Sequence, residues 1–343
     1  GGAVTALPYG DTWRRHRRLY NKQMHKGAIS QFESLQCESM RTLLRNLLDE
    51  PSELSDHLAQ FLVSTLEIFS RASTPGGFLV NNIPILKYIP AWFPGASFKR
   101  LAAAVTARNS ASLDMTFGRV KAWQKAGNAP PSLIARSLQD LGGKDDESDP
   151  DVNAVKCVAG NIFGGETMLA FILAKAVYPE CRKKAQAEAD QVIGHSHLPE
   201  FGDQASTPYL EAILKETLRW FPVIPLDNLL LNSTLSALPH ATIADDVYEG
   251  YRIQVGSIGI PNSWKILHDS ESYAHPYTFR PERFIPEENG GVAERDPTIG
   301  SFGYGRRICA GKNLVAASVW VSITTTFSAF DWSDPVDESG QTI

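Results

Sequence analysis

The segment Phe302-Gly303-Tyr304-Gly305-Arg306-Arg307-Ile308-Cys309-Ala310-Gly311 constrains this chain more than any other. A lone cysteine closes a loop of glycines and arginines, and Leu314, Val315, Ala316, Ala317 and Val319 follow it in a helix-like apolar run. That order places one thiol at a helix N-terminus, where free N–H groups and the helix dipole favour an anionic sulfur. The glycines admit the backbone to something flat and bulky, and the arginines supply counter-charge for carboxylates. A phosphate-cradling loop would need a Lys-Ser/Thr pair after the glycines, which is missing, and no strand pattern clearly precedes them. A buried structural thiol is the usual fate of a free cysteine, but the surrounding loop argues against it here.

Composition narrows the classes. The 343 residues and 43% apolar content suit a globular chain of one large domain or two coupled layers. A net charge of -5 with no basic tail argues against general nucleic-acid binding. Cys37, Cys157, Cys181 and Cys309 have no paired spacing, so neither a disulfide framework nor a zinc site is suggested, and a reducing compartment fits best. The sequence has no run of about 18 apolar residues and no signal-peptide pattern, so no membrane span is expected within it.

Periodicity predicts helix over residues 11–50, with Leu19, Met24, Ile29, Phe32, Leu35 and Met40 at compatible spacing, and again over 53–72. From Pro75 to Pro94 prolines and a Gly-Gly pair interrupt Phe78, Leu79, Ile83, Ile85, Leu86, Tyr88, Ile89, Trp92 and Phe93, giving a loop unusually rich in large apolar groups. Helix is expected again near 97–125, over 151–192 with a break at Tyr178-Pro179, and over Pro208–Trp220, with a polar loop at 142–150. Val247, Tyr251, Ile253, Val255, Ile258 and Ile260 alternate as short strands do. The fold class is therefore mainly α with a small β-sheet.

A haem iron held by a cysteine thiolate needs every feature of the 302–311 loop. Phe302, Gly305, Arg307, Cys309 and Gly311 fit the pattern F-x-x-G-x-R-x-C-x-G, and the chain resembles the cytochrome P-450 superfamily of haem-thiolate monooxygenases. Glu216-x-x-Arg219 resembles that family's E-x-x-R signature, and Pro281-Glu282-Arg283-Phe284 its P-E-R-F element. The resemblance implies a buried triad of Glu216, Arg219 and Arg283 bracing the cysteine loop; read alone, the pair on one helix face would be a solvated ion pair. Trp13-Arg14-x-x-Arg17 is similar to the family's W-R-x-x-R helix, and Trp13 and Arg17 share a face. By resemblance Trp13, Arg17, His240 and Arg307 hold the propionates of iron protoporphyrin IX; at the arginine that usually follows His240 this chain has Ala241.

Gly164-Gly165-Glu166-Thr167 resembles the oxygen-activating segment, where Glu166 and Thr167 would relay protons; an ordinary helix with a glycine kink is the alternative. Phe163 stands where relatives carry Ala or Gly, and the helix after Thr167 is shorter than expected by about one turn, roughly 5.4 Å.

The resemblance, closest to a fungal microsomal member of secondary metabolism, runs over 1–343 as one domain. It leads one to expect that the N-terminal anchor, first helices, most of the N-terminal sheet and the final hairpin are missing, that a helical block is lost around 57–66, and that 227–237 is inserted. It implies insertion of one oxygen atom from O2 into an apolar small molecule, with electrons from an NADPH-dependent flavoprotein reductase docking near Arg14, Arg18, Lys183, Lys184 and Lys312. It also implies the cytosolic face of the endoplasmic reticulum membrane, touched through residues 78–93. The alternatives are a truncated haem-binding remnant or a peroxide-using haem-thiolate enzyme.

Overall fold

The computed structural model describes residues 7–49, 80, 83–129, 132–144, 146–159, 171, 174, 177–194, 197–222 and 240–331. The expected features at 53–72, 57–66, 163–167 and 227–237 lie outside them. The first helical stretch divides into α1 (Asp11–Met24), the single turn α2 (Lys26–Ile29) and α3 (Glu33–Asp49), parted by extended His25 and a 3-10 turn at Ser30–Phe32. The long helix α4 (Ser97–Lys125) follows. Then come α5 (Leu133–Asp140), capped by the Ser132 hydroxyl on the Ala135 N–H, and α6 (Pro150–Ala159), which begins with a proline that needs no N–H partner. Phe117, Val120, Ile134, Leu138, Val152 and Val155 join these three in one apolar cluster.

The centre of the molecule is α11 (Lys312–Ala329), packed against α3, α7 (Pro179–Val192) and α8 (Pro208–Trp220). Beyond Lys312 it carries no charge, and it is buried along most of its length, as a helix apolar on all sides must be. Its hydroxyls are satisfied internally: Ser322, Thr324, Thr326 and Ser328 each donate to the carbonyl four residues earlier, at 2.6–3.0 Å. Trp320, Ile323 and Phe327 then pack with Leu210, Ile213 and Leu214 of α8 and with Ala185 and Ala189 of α7. The N-terminus of α8 receives its acceptor from outside: the Glu188 carboxylate on α7 accepts the N–H groups of Tyr209 and Leu210 at 2.9 and 2.8 Å.

Strands are few among the described residues. β1 (His240–Ala241) pairs with β4 (Ile258–Gly259), and β2 (Asp246–Tyr248) pairs with β3 (Tyr251–Ile253), both antiparallel. The second pair closes through Glu249-Gly250, both at positive φ, the backbone a two-residue hairpin of right-handed twist requires. Two further short helices, α9 (Ser263–Leu267) and α10 (Thr298–Ser301), flank α8.

Beneath the cysteine loop α8 presents Glu216 and Arg219, both fully buried, to Arg283 on the 3-10 turn Pro281–Phe284. Arg219 donates to both Glu216 oxygens, at 2.8 and 2.9 Å, and the Arg280 N–H adds a third bond at 2.8 Å. Arg283 Nε lies 3.1 Å from Glu216 Oε2. The arginines then reach carbonyls of the 267–278 segment: Arg219 donates to Leu267 and Pro276, Arg283 to Ala274, His275 and Thr278. Burial pushes the Glu216 carboxyl up, against the pull of both arginines and the Arg280 N–H.

Nearby, His268 is sandwiched between rings, 3.9 Å from Trp264 and 5.4 Å from Tyr277. Its Nδ1 is 3.0 Å from the Trp264 carbonyl. Desolvation, helped by the charges of Arg219 and Arg283 and opposed by backbone carbonyls, holds the ring down at about 4.

Two outcomes follow from these buried charges. Glu216→Ala strands the buried Arg219 guanidinium and takes one of two carboxylates from Arg283, and lowers the unfolding free energy by about 3–5 kcal/mol in urea titration; a loss under about 1 kcal/mol would be that of a surface pair. For His268, both states are neutral well above pH 6.5, and on acidification only the unfolded chain takes up the proton. Stability therefore falls between the ordinary value of 6.5 and about 4, by on the order of 3 kcal/mol from this ring. Urea titrations at pH 7 and pH 4.5 should show His268→Asn to be less acid-sensitive than the parent.

Candidate active site

The cysteine loop is shaped by two left-handed glycines, Gly303 (φ 76) and Gly305 (φ 54). Between them and α11 runs a 3-10 turn, Gly305–Arg307, and the Cys309 N–H donates to the Phe302 carbonyl at 2.7 Å, which closes the loop. Phe302 itself leans into the central core. Cys309 therefore sits two residues before Gly311, the cap of α11. A Cβ at Gly311 would lie 3.9 Å from the Cys309 sulfur, so glycine leaves the space beside it open.

Cys309 is exposed, and yet desolvation is the leading influence on its thiol and pushes it up. The exposure is that of the whole residue, whereas the desolvation acts on the thiol group. The Gly311 N–H, Arg17 and Lys312 pull the other way, as the dipole at a helix start should. A coordinated metal ion would deprotonate such a thiol outright.

Around the loop, α1 contributes Trp13 and Arg17 from one face. Trp13 is buried in a cluster with Tyr20, Met24, Phe32 and Leu133, against which Ala310 and Leu314 pack. Arg307 stacks its guanidinium 4.4 Å over the Trp13 ring and donates to the Leu7 carbonyl at 3.1 Å. Arg17 is half-buried and shares the field of Cys309 and Arg307. His240, at the start of β1, is exposed; desolvation first and the Arg307 charge second hold its ring below the ordinary value. The structure thus brings Trp13, Arg17, His240, Arg307 and Cys309 together. Among the described residues no carboxylate pairs with Arg17 or Arg307, so two cations lie near Trp13 and Cys309 without an ion-pair partner. A group with carboxylates and a metal centre fits that donor set, and a haem has both.

Glu166 and Thr167 lie outside the described residues. Two of the basic residues expected to meet a redox partner are already neutralised: Lys183 pairs with Glu180, and Lys184 with Glu282 and Glu288. Arg14 pairs with Asp11 and stacks on Tyr9. Glu294, which sequence reasoning passed over, holds Arg283 at 2.6 Å and Arg280 at 3.0 Å. The signal for it was arithmetic: a buried set of one acid and two arginines is a charge short.

Comparison with known proteins identifies the family. The family model described as cytochrome P-450 matches residues 52–342. A cytochrome P-450 monooxygenase of Armillaria gallica is 34% identical over 98% of this chain and 70% of its own length. The tryptamine 4-monooxygenase of Psilocybe cyanescens is also 34% identical, again over 98% and 70%. Among solved structures, a zebra fish cytochrome P-450 with progesterone superposes at a TM-score of 0.68, covering 96% of this chain and 77% of that one at 19% identity. The helices that carry the Cys309 loop and the charges that brace it are thus those of a known architecture, and the chain belongs to the cytochrome P-450 family, whose members are haem-dependent monooxygenases.

Proposed function

We propose that this chain is a haem-thiolate monooxygenase in which Cys309 is the iron ligand, acting within one haem-binding domain. One observation carries the reading: Cys309 at the head of α11 lies close to Arg17, and Arg307 stacks on Trp13, so the thiol and two half-buried arginines that lack carboxylate partners come together. Bound haem supplies the redox centre at which dioxygen is split, and thiolate ligation favours O–O cleavage. The net reaction takes dioxygen, two electrons, two protons and an apolar organic substrate to its mono-oxygenated product and water.

The chain's own residues divide the remaining work. Arg17, Arg307 and His240 donate to propionates, and the Trp13 ring beneath Arg307 holds that guanidinium in place. Phe302, Gly305 and Gly311 set the course of the loop, so that the sulfur faces the hollow. By resemblance Glu166 and Thr167 move protons toward the oxygen site. Electrons come from NADPH through a flavoprotein reductase, which docks on the α1 side at Arg18, Lys312 and the exposed Arg306 rather than at the neutralised lysines of α7. Electrostatic complementarity of that kind sets the encounter rate more than the affinity.

The same reading places the protein on the cytosolic face of the endoplasmic reticulum. Ile83, Ile85, Tyr88, Trp92 and Phe93 are all exposed on the segment before α4, the last four around a 3-10 turn at Pro84–Tyr88 and the turns after it. Large apolar side chains on a loop suit a lipid surface.

Two measurements test the proposal. Haem-loaded parent protein, reduced under carbon monoxide, shows the red-shifted Soret band of thiolate ligation, and Cys309→Ala abolishes it. A band surviving that substitution would remove Cys309 from the iron. In liposome flotation the parent partitions with vesicles, and Trp92→Ser/Phe93→Ser loses most of that binding; equal partitioning would turn the loop toward protein instead.

A further inference from the structure

The buried charges under the cysteine loop do not balance with Glu216, Arg219 and Arg283 alone. The two arginine side chains are fully buried and bring two positive charges to one negative. An uncompensated cation in a dry interior costs several kcal/mol even after relaxation. Glu294 supplies the missing charge. Its Oε2 accepts from Arg283 Nη1 at 2.6 Å, and its Oε1 from Arg280 Nη2 at 3.0 Å and from the Ala274 N–H at 3.3 Å. Its own N–H donates to the Arg283 carbonyl at 2.8 Å, so the residue is tied to Arg283 through both side chain and backbone. Its side chain is only 12% exposed, against 34% for Arg280, which sits at the rim of the cluster.

Where Glu294 stands in the chain matters as much as its charge. Two residues later Asp296 accepts the Thr298 N–H at 2.8 Å and opens α10. Within α10, Gly300 lies so close to Leu267 that a Cβ would meet its side chain at 3.0 Å, and the Ser301 hydroxyl donates to the Leu218 carbonyl of α8 at 3.1 Å. The next residue, Phe302, accepts the Cys309 N–H. From Glu294 to Cys309 the path is thus a short series of fixed points, with the ion pair at one end and the sulfur loop at the other.

We propose that Glu294 is a positioning residue: the counter-charge of Arg283 and the clamp that holds segment 294–302, and through it the Cys309 loop, against α8. Its bearing on oxygen chemistry rests on the reading of Cys309 as haem ligand; the clamp itself does not.

The test is amide hydrogen exchange on the full chain, with and without haem, beside the reduced carbon monoxide spectrum. Glu294→Gln keeps the shape and removes the charge. Exchange across 294–311 should rise about tenfold while α7 and α4 stay unchanged, the sign of a local opening and not a global one. In the haem-loaded variant the Soret band should shift toward the form without thiolate. Arg283→Gln/Glu294→Gln leaves Glu216 and Arg219 as a balanced pair, and should lose less than the two single changes combined. Should Glu294→Gln not fold, Glu294→Asp retains the charge and is read in the same way, with exchange closer to the parent's. Unchanged exchange at 294–311, a uniform rise throughout the chain, or an aspartate variant no better than the glutamine one would each overturn the proposal. A parent without any thiolate band would instead overturn the reading of Cys309, and leave the exchange result standing.

Discussion

The contact between Glu216 on α8 and the guanidinium groups of Arg219 and Arg283 is the constraint on which the rest of this structure depends. Each of the three side chains is wholly buried, and a buried charge is tolerable only when its partners sit at close to ideal distance. The requirement is geometric before it is energetic. It fixes the rotation of α8, since residues three apart must both point at the same spot, and it fixes the 3-10 turn that carries Arg283. The remaining donors of the arginines are spent on carbonyls of 267–278, so a long stretch without regular structure acquires a defined path.

From the same cluster Glu294 starts the segment that leads through Ser301 and Phe302 to the Cys309 loop. α11 supplies the other boundary: uncharged beyond Lys312, with four of its hydroxyls turned back on its own carbonyls, it lies in the centre of the molecule and takes only a few polar contacts from its neighbours, such as Gln186 on the Phe327 carbonyl. Toward its N-terminal end Asn313 ties it to α1 through the Met24 carbonyl at 3.0 Å, and Gln36 of α3 donates to the Ser318 hydroxyl at 2.6 Å. The thiol is therefore held between a rigid helix and a loop whose two left-handed glycines leave little choice of course. Preorganisation of this kind suits a ligand that must not move when charge on the metal changes.

Much of the architecture was legible in the sequence because the signals were local. Pro208 and the apolar spacing after it gave both ends of α8, and the glycine pattern around Cys309 gave the loop. The division of the first helical stretch at His25 was not legible, since nothing in that residue forbids helix; it is set by the packing of Trp13, Tyr20 and Phe32 around the turn. Glu294 was missed for a related reason. It belongs to no motif, and its role exists only because Arg280 and Arg283 converge on it from an irregular segment. Lys183 and Lys184 show a further limit: a basic pair looks free in a sequence, but Glu282 and Glu288, about a hundred positions away, pair with Lys184.

The hydrogen bond from Arg307 to the Leu7 carbonyl joins residues 300 apart. Asn313 to Met24 spans 289 and Gln36 to Ser318 spans 282. The contacts that tie Arg307 and the start of α11 to Leu7, Met24 and α3 are thus made between the two extremities of the described chain, and they cannot form while the later half is still being synthesised. Chains rich in such distant contacts fold slowly, because the ends must meet before any of the contacts is gained. On the ribosome α4, α5 and α6 can collapse around Phe117 and Val152 early, and α1 can dock on them through Leu19 and Leu133, but the side of the Trp13 cluster that meets Ala310 and Leu314 waits until α11 has emerged. Cofactor capture is for that reason an event of the finished chain, and the interval before it is when these aromatic groups are most open to aggregation.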